Sequence, residues 1–407
     1  MLSWLAVLLA AVCVLSLGVN SWVLREHCLT TEIPSTISHP LKLWTLYYAF
    51  LLLVTWGEIF EMLGICTMFK FIRFLHDLLP IRKDPQVAVT NLRFGSVPVR
   101  LFQPKAPSSR PRRGIIFYHG GGSVFGSLDF YHNLCSFLAR ETDSVLLLVG
   151  YRKLPEYHSP IITKDCLNAS IHFLKALDTY GVDPARVVLC GESIGGGAVA
   201  VTTQSLVGRP DLPRIRAQVL IYPVIQVVNL QLPSFRQNQN VPLLTGKFTA
   251  RLMCRYMNIH RSWNRALLTG AFIPPEAWSK YKKWLSSDNI PKRFKTKTHQ
   301  PCFPAPFNEA AYLEMKHLLD VENCPLLAED EVIAQLPEAF VVSCENDILR
   351  DDALLYRKRL EDQGVPVTWH HAEDGFHGSV ILFDKKHLSF PCSQEIMNAV
   401  VCYIKGI

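Results

Sequence analysis

The sequence predicts an α/β fold: a mostly parallel central sheet flanked by helices, preceded by an apolar anchor helix and interrupted by a helical insertion. Three observations carry this. From about Gln86, short β-rich runs alternate with helix-patterned ones, as strands joined by crossover helices must. One such run, Val187–Cys190, leads directly into Gly191-Glu192-Ser193-Ile194-Gly195 and then a helical stretch of small residues. Ahead of all this, Leu2 to Leu24 contains no charged side chain.

Size and composition allow such a fold. The chain has 407 residues, 49% hydrophobic and 19% charged, enough to bury a large core. Its net charge of +7 is scattered, with local clusters at Arg110–Arg113 and Lys292–Lys295. No basic and aromatic module of the kind that reads nucleic acid is present, and mild basicity suits a nearby anionic lipid surface better. The twelve cysteines form no C-x-x-C pair, so neither a structural zinc site nor any other metal is expected. Many, such as Cys13, Cys66, Cys190 and Cys402, sit in apolar runs and read as small buried hydrophobes.

The elements follow in order. Residues 1–24 read as a transmembrane anchor: 23 residues at the helical rise cover roughly 34 Å. A cleaved signal peptide competes, with small residues at Val19 and Ser21, but the apolar run is long and lacks a basic start, which favours an uncleaved anchor. Residues 25–85 contain a second apolar stretch, Leu43–Gly57, with Trp44, Tyr47, Tyr48 and Trp56. It is short for a crossing and reads as a helix packed over the active site. The body, 86–407, begins with the hairpin Val87–Phe94 and Val97–Phe102 around Gly95-Ser96. Strands are expected at Gly114–Tyr118, Ser144–Val149, Val187–Cys190, Val219–Tyr222, Ala339–Val342 and Val367–Trp369. Helices are expected at Ile161–Tyr180, closed by Gly181, and Asp352–Asp362. The rhythm breaks over about 225–330, an insertion rich in proline and tryptophan (Trp263, Trp278, Trp284) that reads as a cap.

The chemistry-bearing residues lie at strand ends. A serine held in a tight strand-to-helix turn, with Gly191 and Gly195 two residues to either side, has room for the strand and helix to approach closely. The helix that follows Ser193 points its positive end at the place where an oxyanion forms. After the strand Gly114–Tyr118 comes His119-Gly120-Gly121-Gly122, whose N–H groups can turn inward. Gly120, Gly121, Gly122 and the N–H of Ile194 are the candidate oxyanion donors, and losing one such donor typically costs about 3–4 kcal/mol of activation. His119 reads as a loop-fixing hydrogen bonder. No Lys-Ser/Thr follows the glycines, so a phosphate cradle is not expected and no cofactor is required. His377, between Gly375 and Gly378, is the candidate base. For its acid partner, spacing leaves Asp347 and Glu345 open, while Asp351 and Asp352 begin the next helix. His370 and His371 are adjacent and point to opposite faces, so they read as packing or surface residues.

With these motifs assembled, the chain resembles the hormone-sensitive-lipase group of α/β-hydrolases, in its arylacetamide deacetylase-like branch. The resemblance covers nearly the whole chain. It rests on His119–Gly122, Tyr151-Arg152-Lys153-Leu154-Pro155-Glu156, Gly191–Gly196, Tyr222-Pro223, Asn346–Asp352 and Asp374–Gly378. It implies the α/β-hydrolase fold, Asp347 as the acid, and a lid built from the amino-terminal segment plus the insertion. It also implies a type II anchor with a lumenal catalytic domain in the endoplasmic reticulum. Glu192 stands where the family more often has aspartate, and Lys153-Leu154 depart from its usual pair. Cys344 matches one half of a family disulfide, but Val124 occupies the other position, so that pairing does not carry over. Asn168-Ala169-Ser170 is a permitted glycosylation sequon inside a predicted helix.

The expected function is therefore a membrane-anchored serine carboxylic ester hydrolase acting on apolar acyl esters or neutral lipids through Ser193, His377 and Asp347. Two readings compete: a non-catalytic small-molecule receptor on the same scaffold, and an amide deacetylase. The expected partners are an apolar substrate and the membrane, not nucleic acid.

Overall fold

The computed structural model describes residues 2–28, 31, 33–295 and 303–407. Eight strands form one sheet: β1 Val87–Phe94, β2 Val97–Pro104, β3 Arg112–Tyr118, β4 Ser144–Val149, β5 Val182–Glu192, β6 Ala217–Ile221, β7 Glu338–Asn346 and β8 Val367–Phe376. Their order is β1-β2-β4-β3-β5-β6-β7-β8. The hairpin β1–β2 is antiparallel to itself and to β4; all later pairings are parallel. The chain has the α/β-hydrolase fold.

The sequence pattern explains the layering. Strands β4 and β6 are buried along their whole length, as strands covered on both faces are. Alternate side chains go to opposite faces. Ile116, Leu147, Leu189, Leu220 and Val341 pack with residues of α5 Ile161–Leu174, α6 Ile194–Ser205 and α13 Arg350–Glu361. Ile115, Phe117, Leu146, Val188, Val219 and Val342 pack instead with α4 His132–Glu141 and α14 Pro391–Lys405. Truncating Phe117, which is fully buried, to alanine should cost about 3–5 kcal/mol.

Ahead of the sheet lie α1 Leu2–Val23, α2 Pro40–Met62 and α3 Met68–Asp77. The described side chains of α1 are mostly exposed, Trp4 at 79% and Leu17 at 71%, while Val19 and Val23 are buried against α2. On α2 the face made by Trp44, Tyr48, Leu51 and Trp56 meets α1, and Tyr48 Oη donates to Asn20 Oδ1 at 2.7 Å. The second apolar stretch is longer than Leu43–Gly57: α2 has 23 residues and is long and apolar enough to cross a bilayer. Pro40 at its start and the absence of an internal proline allow the helix to run on past Gly57. Thr67 Oγ1 caps α3 by accepting from Lys70 N at 3.3 Å.

Between β6 and β7 the described chain is helical: α7 Pro233–Gln237, α8 Gly246–Tyr256, α9 Asn264–Thr269, α10 Pro275–Leu285, α11 Glu309–Met315 and α12 Asp330–Ile333. Part of the predicted insertion, 296–302, lies outside the described residues. The expected helix Ile161–Tyr180 ends earlier, at Leu174, and Gly181 in the left-handed region closes the turn after it.

Candidate active site

Strands β3, β5, β7 and β8 run parallel, so their carboxyl ends lie on one side of the sheet. The glycine loop follows β3, Ser193 follows β5, Asp347 follows β7 and His377 follows β8. Residues far apart in sequence therefore meet at one sheet edge, where open α/β sheets hold their ligands.

Ser193 has φ 55° and ψ −124°, a strained left-handed backbone for a residue with a Cβ. The turn persists because its neighbours leave no alternative. A Cβ on Gly191 would sit 2.5 Å from Gly195 O, and one on Gly195 only 2.2 Å from Tyr118 O. The Ser193 hydroxyl lies 2.8 Å from His377 Nε2, and His377 Nδ1 lies 2.9 Å from Asp347 Oδ2. Asp347 is fully buried; its Oδ1 accepts from Leu349 N at 2.8 Å and its carbonyl from Asn238 Nδ2 at 2.9 Å. Burial alone would lower the His377 pKa. The charge and hydrogen bond of Asp347, helped by Glu192, outweigh it and hold the imidazole above its ordinary value.

Glu345, the other spacing-allowed acid, is engaged elsewhere. It accepts from Arg350 at 3.0 Å and pairs with His371 Nε2 at 3.1 Å, while His371 Nδ1 meets Ser343 Oγ at 2.9 Å. Both adjacent carboxylates have structural partners too. Asp351 pairs with Arg350, and Asp352 accepts from Ile225 N, Gln226 N and Gln226 Nε2.

The glycine loop divides into two parts. Gly121 and Gly122, with φ of 103° and 59°, line the same cavity as Ser193 and His377. Ile194 opens α6, where an N–H has no acceptor within the helix. Gly120 departs from the expectation: its N–H donates to Glu192 Oε1 at 3.0 Å and is not available to a substrate oxygen. His119 is buried and neutral, its pKa lowered chiefly by desolvation. Its Nδ1 lies 2.7 Å from Gly120 O, and its ring stacks between Tyr131 and Tyr151.

Three supporting residues had no role assigned from the sequence. Glu192 is fully buried; burial raises its pKa, and it takes hydrogen bonds from both Gly120 N–H and the Tyr131 hydroxyl. Its place beside Ser193 was the only available signal. Asp165 holds Arg152 through three contacts of 2.7–3.0 Å. Lys153 donates to Gly126 O at 2.9 Å, and burial pushes its pKa down to about 8. Asn168 is exposed on α5, whereas Ser170 of the same sequon is buried and bonded to Cys166 O at 2.8 Å. Cys344 is a buried free thiol.

The cavity measures about 450 Å³ and is lined mainly by apolar groups from several separate segments. Leu46, Phe50 and Leu53 come from α2, Leu75 and His76 from α3, and Phe248 and Leu252 from α8. Phe50 meets Phe125 and Phe248 edge to face, with centroids 6.2 and 5.5 Å apart. The tryptophans of the insertion do not line the cavity. Trp278 packs on Phe303, and Trp284 lies beneath the guanidinium of Arg359. Among the described residues no cluster suited to a metal ion occurs.

A family described by its alpha/beta hydrolase fold matches residues 115–281 and 291–381. Arylacetamide deacetylase-like 4 of Homo sapiens is 70% identical over 99% of both chains. Arylacetamide deacetylase-like 3 of Homo sapiens is 54% identical over 98% of both, so the likeness to member 3 is exceeded by that to member 4. Arylacetamide deacetylase of Oryctolagus cuniculus is 36% identical over 88% of this chain and 92% of its own. Among solved structures, an esterase from Pyrobaculum calidifontis superposes with TM-score 0.60 at 22% identity, covering 87% of this chain and 92% of that one; at that identity it supports the fold alone. The chain belongs to the arylacetamide deacetylase family of α/β-hydrolases and is a hydrolase.

Proposed function

We propose that the protein is a membrane-anchored serine hydrolase that cleaves apolar carboxylic esters, neutral lipids among them. The observation that carries this reading is the relay Ser193–His377–Asp347, at 2.8 and 2.9 Å, opening into an apolar cavity. His377 Nε2 takes the Ser193 proton as Oγ attacks the ester carbonyl. Negative charge moves to the carbonyl oxygen, which the N–H groups of Gly121, Gly122 and Ile194 face. Asp347 holds the His377 tautomer and balances the imidazolium. The imidazolium then protonates the departing alcohol, and an acyl-enzyme remains on Ser193. Water, activated by the same imidazole, releases the acid.

The apolar wall supports substrates with hydrocarbon groups, since little there would satisfy a polar chain. Amide cleavage runs through the same steps, and likeness to relatives named deacetylases favours testing it beside esters. The exposed apolar surface of α1 supports an anchor, and the family resemblance supports a type II orientation with the catalytic body in the lumen.

Labelling with a fluorophosphonate probe is the direct test. The wild-type chain takes the label and Ser193→Ala does not. A folded wild type that stays unlabelled in lipid supports the non-catalytic receptor instead.

A further inference from the structure

The mouth of the apolar cavity is edged by side chains that the other described residues leave partly exposed. Leu79 and Leu388 both line the cavity and remain 44% and 43% exposed. Next to Leu79, at the end of α3, Phe74 and Leu78 are 63% and 64% exposed. Scattered surface leucines need no explanation, but two exposed leucines at a cavity mouth, with Phe74 and Leu78 exposed on the chain leading to one of them, do. Cations flank them: Arg82 and Lys83 are exposed just beyond, and Lys385 stands at the cavity wall.

We infer that this rim is a docking surface for a phospholipid bilayer, through which acyl substrates pass from the membrane into the cavity. The inference rests on the hydrolase and anchor readings given above. Apolar side chains flanked by the exposed Arg82 and Lys83, with Lys385 paired to Asp384 nearby, match the interfacial layer, where hydrocarbon lies below and phosphate above. The position of the anchor favours a bilayer over a second copy of the chain. Helix α1, apolar and exposed, rests through Val19 and Val23 on α2, and α2 itself supplies Leu46, Phe50 and Leu53 to the cavity. The element that needs hydrocarbon and the element that roofs the site are thus in contact. An apolar substrate leaving the bilayer at Leu79 and Leu388 meets a continuous apolar path and never crosses water.

The test uses the full chain in nanodiscs of phosphatidylcholine and phosphatidylserine containing a diazirine-bearing phospholipid. Photolysis should attach lipid to residues 74–81 as well as to α1; lipid on α1 alone, or cross-links from 74–81 to a second copy, overturns the proposal. In parallel, the double variant Phe74→Ser/Leu78→Ser is compared with wild type on a water-soluble short-chain ester and on a long-chain ester dissolved in the bilayer. Both residues lie outside the catalytic machinery, so soluble turnover stays unchanged and reports correct folding. Bilayer turnover should fall about tenfold or more, the loss expected when apolar contact with a membrane is removed. An unchanged ratio of the two rates overturns the docking surface. Absence of turnover by the wild type on both esters would instead remove the hydrolase reading, while lipid attachment at 74–81 would still report on the surface.

Discussion

His377 shows how a single side chain is tuned by competing terms. Desolvation disfavours its charge, and the buried Asp347 carboxylate at 2.9 Å more than restores it. A base must be neutral to accept the Ser193 proton, so a raised pKa moves the rise of kcat/KM with pH to a midpoint above 6.5. A pH–rate profile on a short-chain ester checks this, and a midpoint well below that value contradicts it. His377→Ala should lose turnover by several orders of magnitude, as removal of a triad member does elsewhere. Glu192 acts at one remove, through Gly120 and Tyr131. Glu192→Ala should lower kcat about tenfold to a hundredfold by freeing the glycine loop, with substrate binding less affected. Partial recovery in Glu192→Asp distinguishes positioning from a general loss of folding. Equal damage to KM and kcat in both variants argues against that role.

At the scale of elements, the turn between β5 and α6 depends on what cannot fit. Gly195→Ala places a Cβ 2.2 Å from Tyr118 O, which belongs to the neighbouring strand β3 and cannot yield. The substitution should cost about 2–3 kcal/mol or more, read as a lower denaturant midpoint. The loop after β4 carries the opposite case. Lys153 is half-buried, and desolvation pushes its pKa down from 10.5 to about 8. Below pH 8 both the folded and unfolded chains hold the proton, and the fold bears the full cost of the desolvated charge. That cost fades as pH rises from 8 towards 10.5, where the folded lysine is already neutral. Lys153→Leu should therefore raise stability at pH 7 by on the order of 1–3 kcal/mol, less the lost bond to Gly126 O. The gain should shrink by pH 10. Urea midpoints at the two pH values measure it, and a variant less stable than wild type at both would refute the argument.

The whole molecule makes the cavity, since no single segment closes it. Phe50 of α2, Phe125 of the glycine loop and Phe248 of α8 meet there from distances of many residues. Two partly exposed ion pairs also link α2 and α8: Glu58 with Arg251, and Glu61 with Arg255 at 3.7 Å. Phe50→Ala removes roughly 2–3 kcal/mol of apolar contact. For long-chain esters kcat/KM should fall by about tenfold to a hundredfold, and for acetate esters by much less. A chain-length series gives the answer; a uniform loss across lengths would mean that Phe50 does not touch the acyl chain.

By itself the sequence determined the sheet and the glycine-flanked turn that holds Ser193. Buried parallel strands must be short apolar runs, and a nucleophile turn must have glycine on both sides, so β3 to β7 and the Ser193 turn were legible from local pattern. Spacing did not choose between Asp347 and Glu345, because both lie near one strand end; the family resemblance pointed to Asp347. Tertiary structure alone gave Glu345 to His371 and Arg350, engaged Gly120 with Glu192, and kept the insertion's tryptophans out of the cavity. Each of these turns on the direction of a side chain or N–H among neighbours distant in sequence. Periodicity specifies which face a residue occupies, but only packing specifies what waits there.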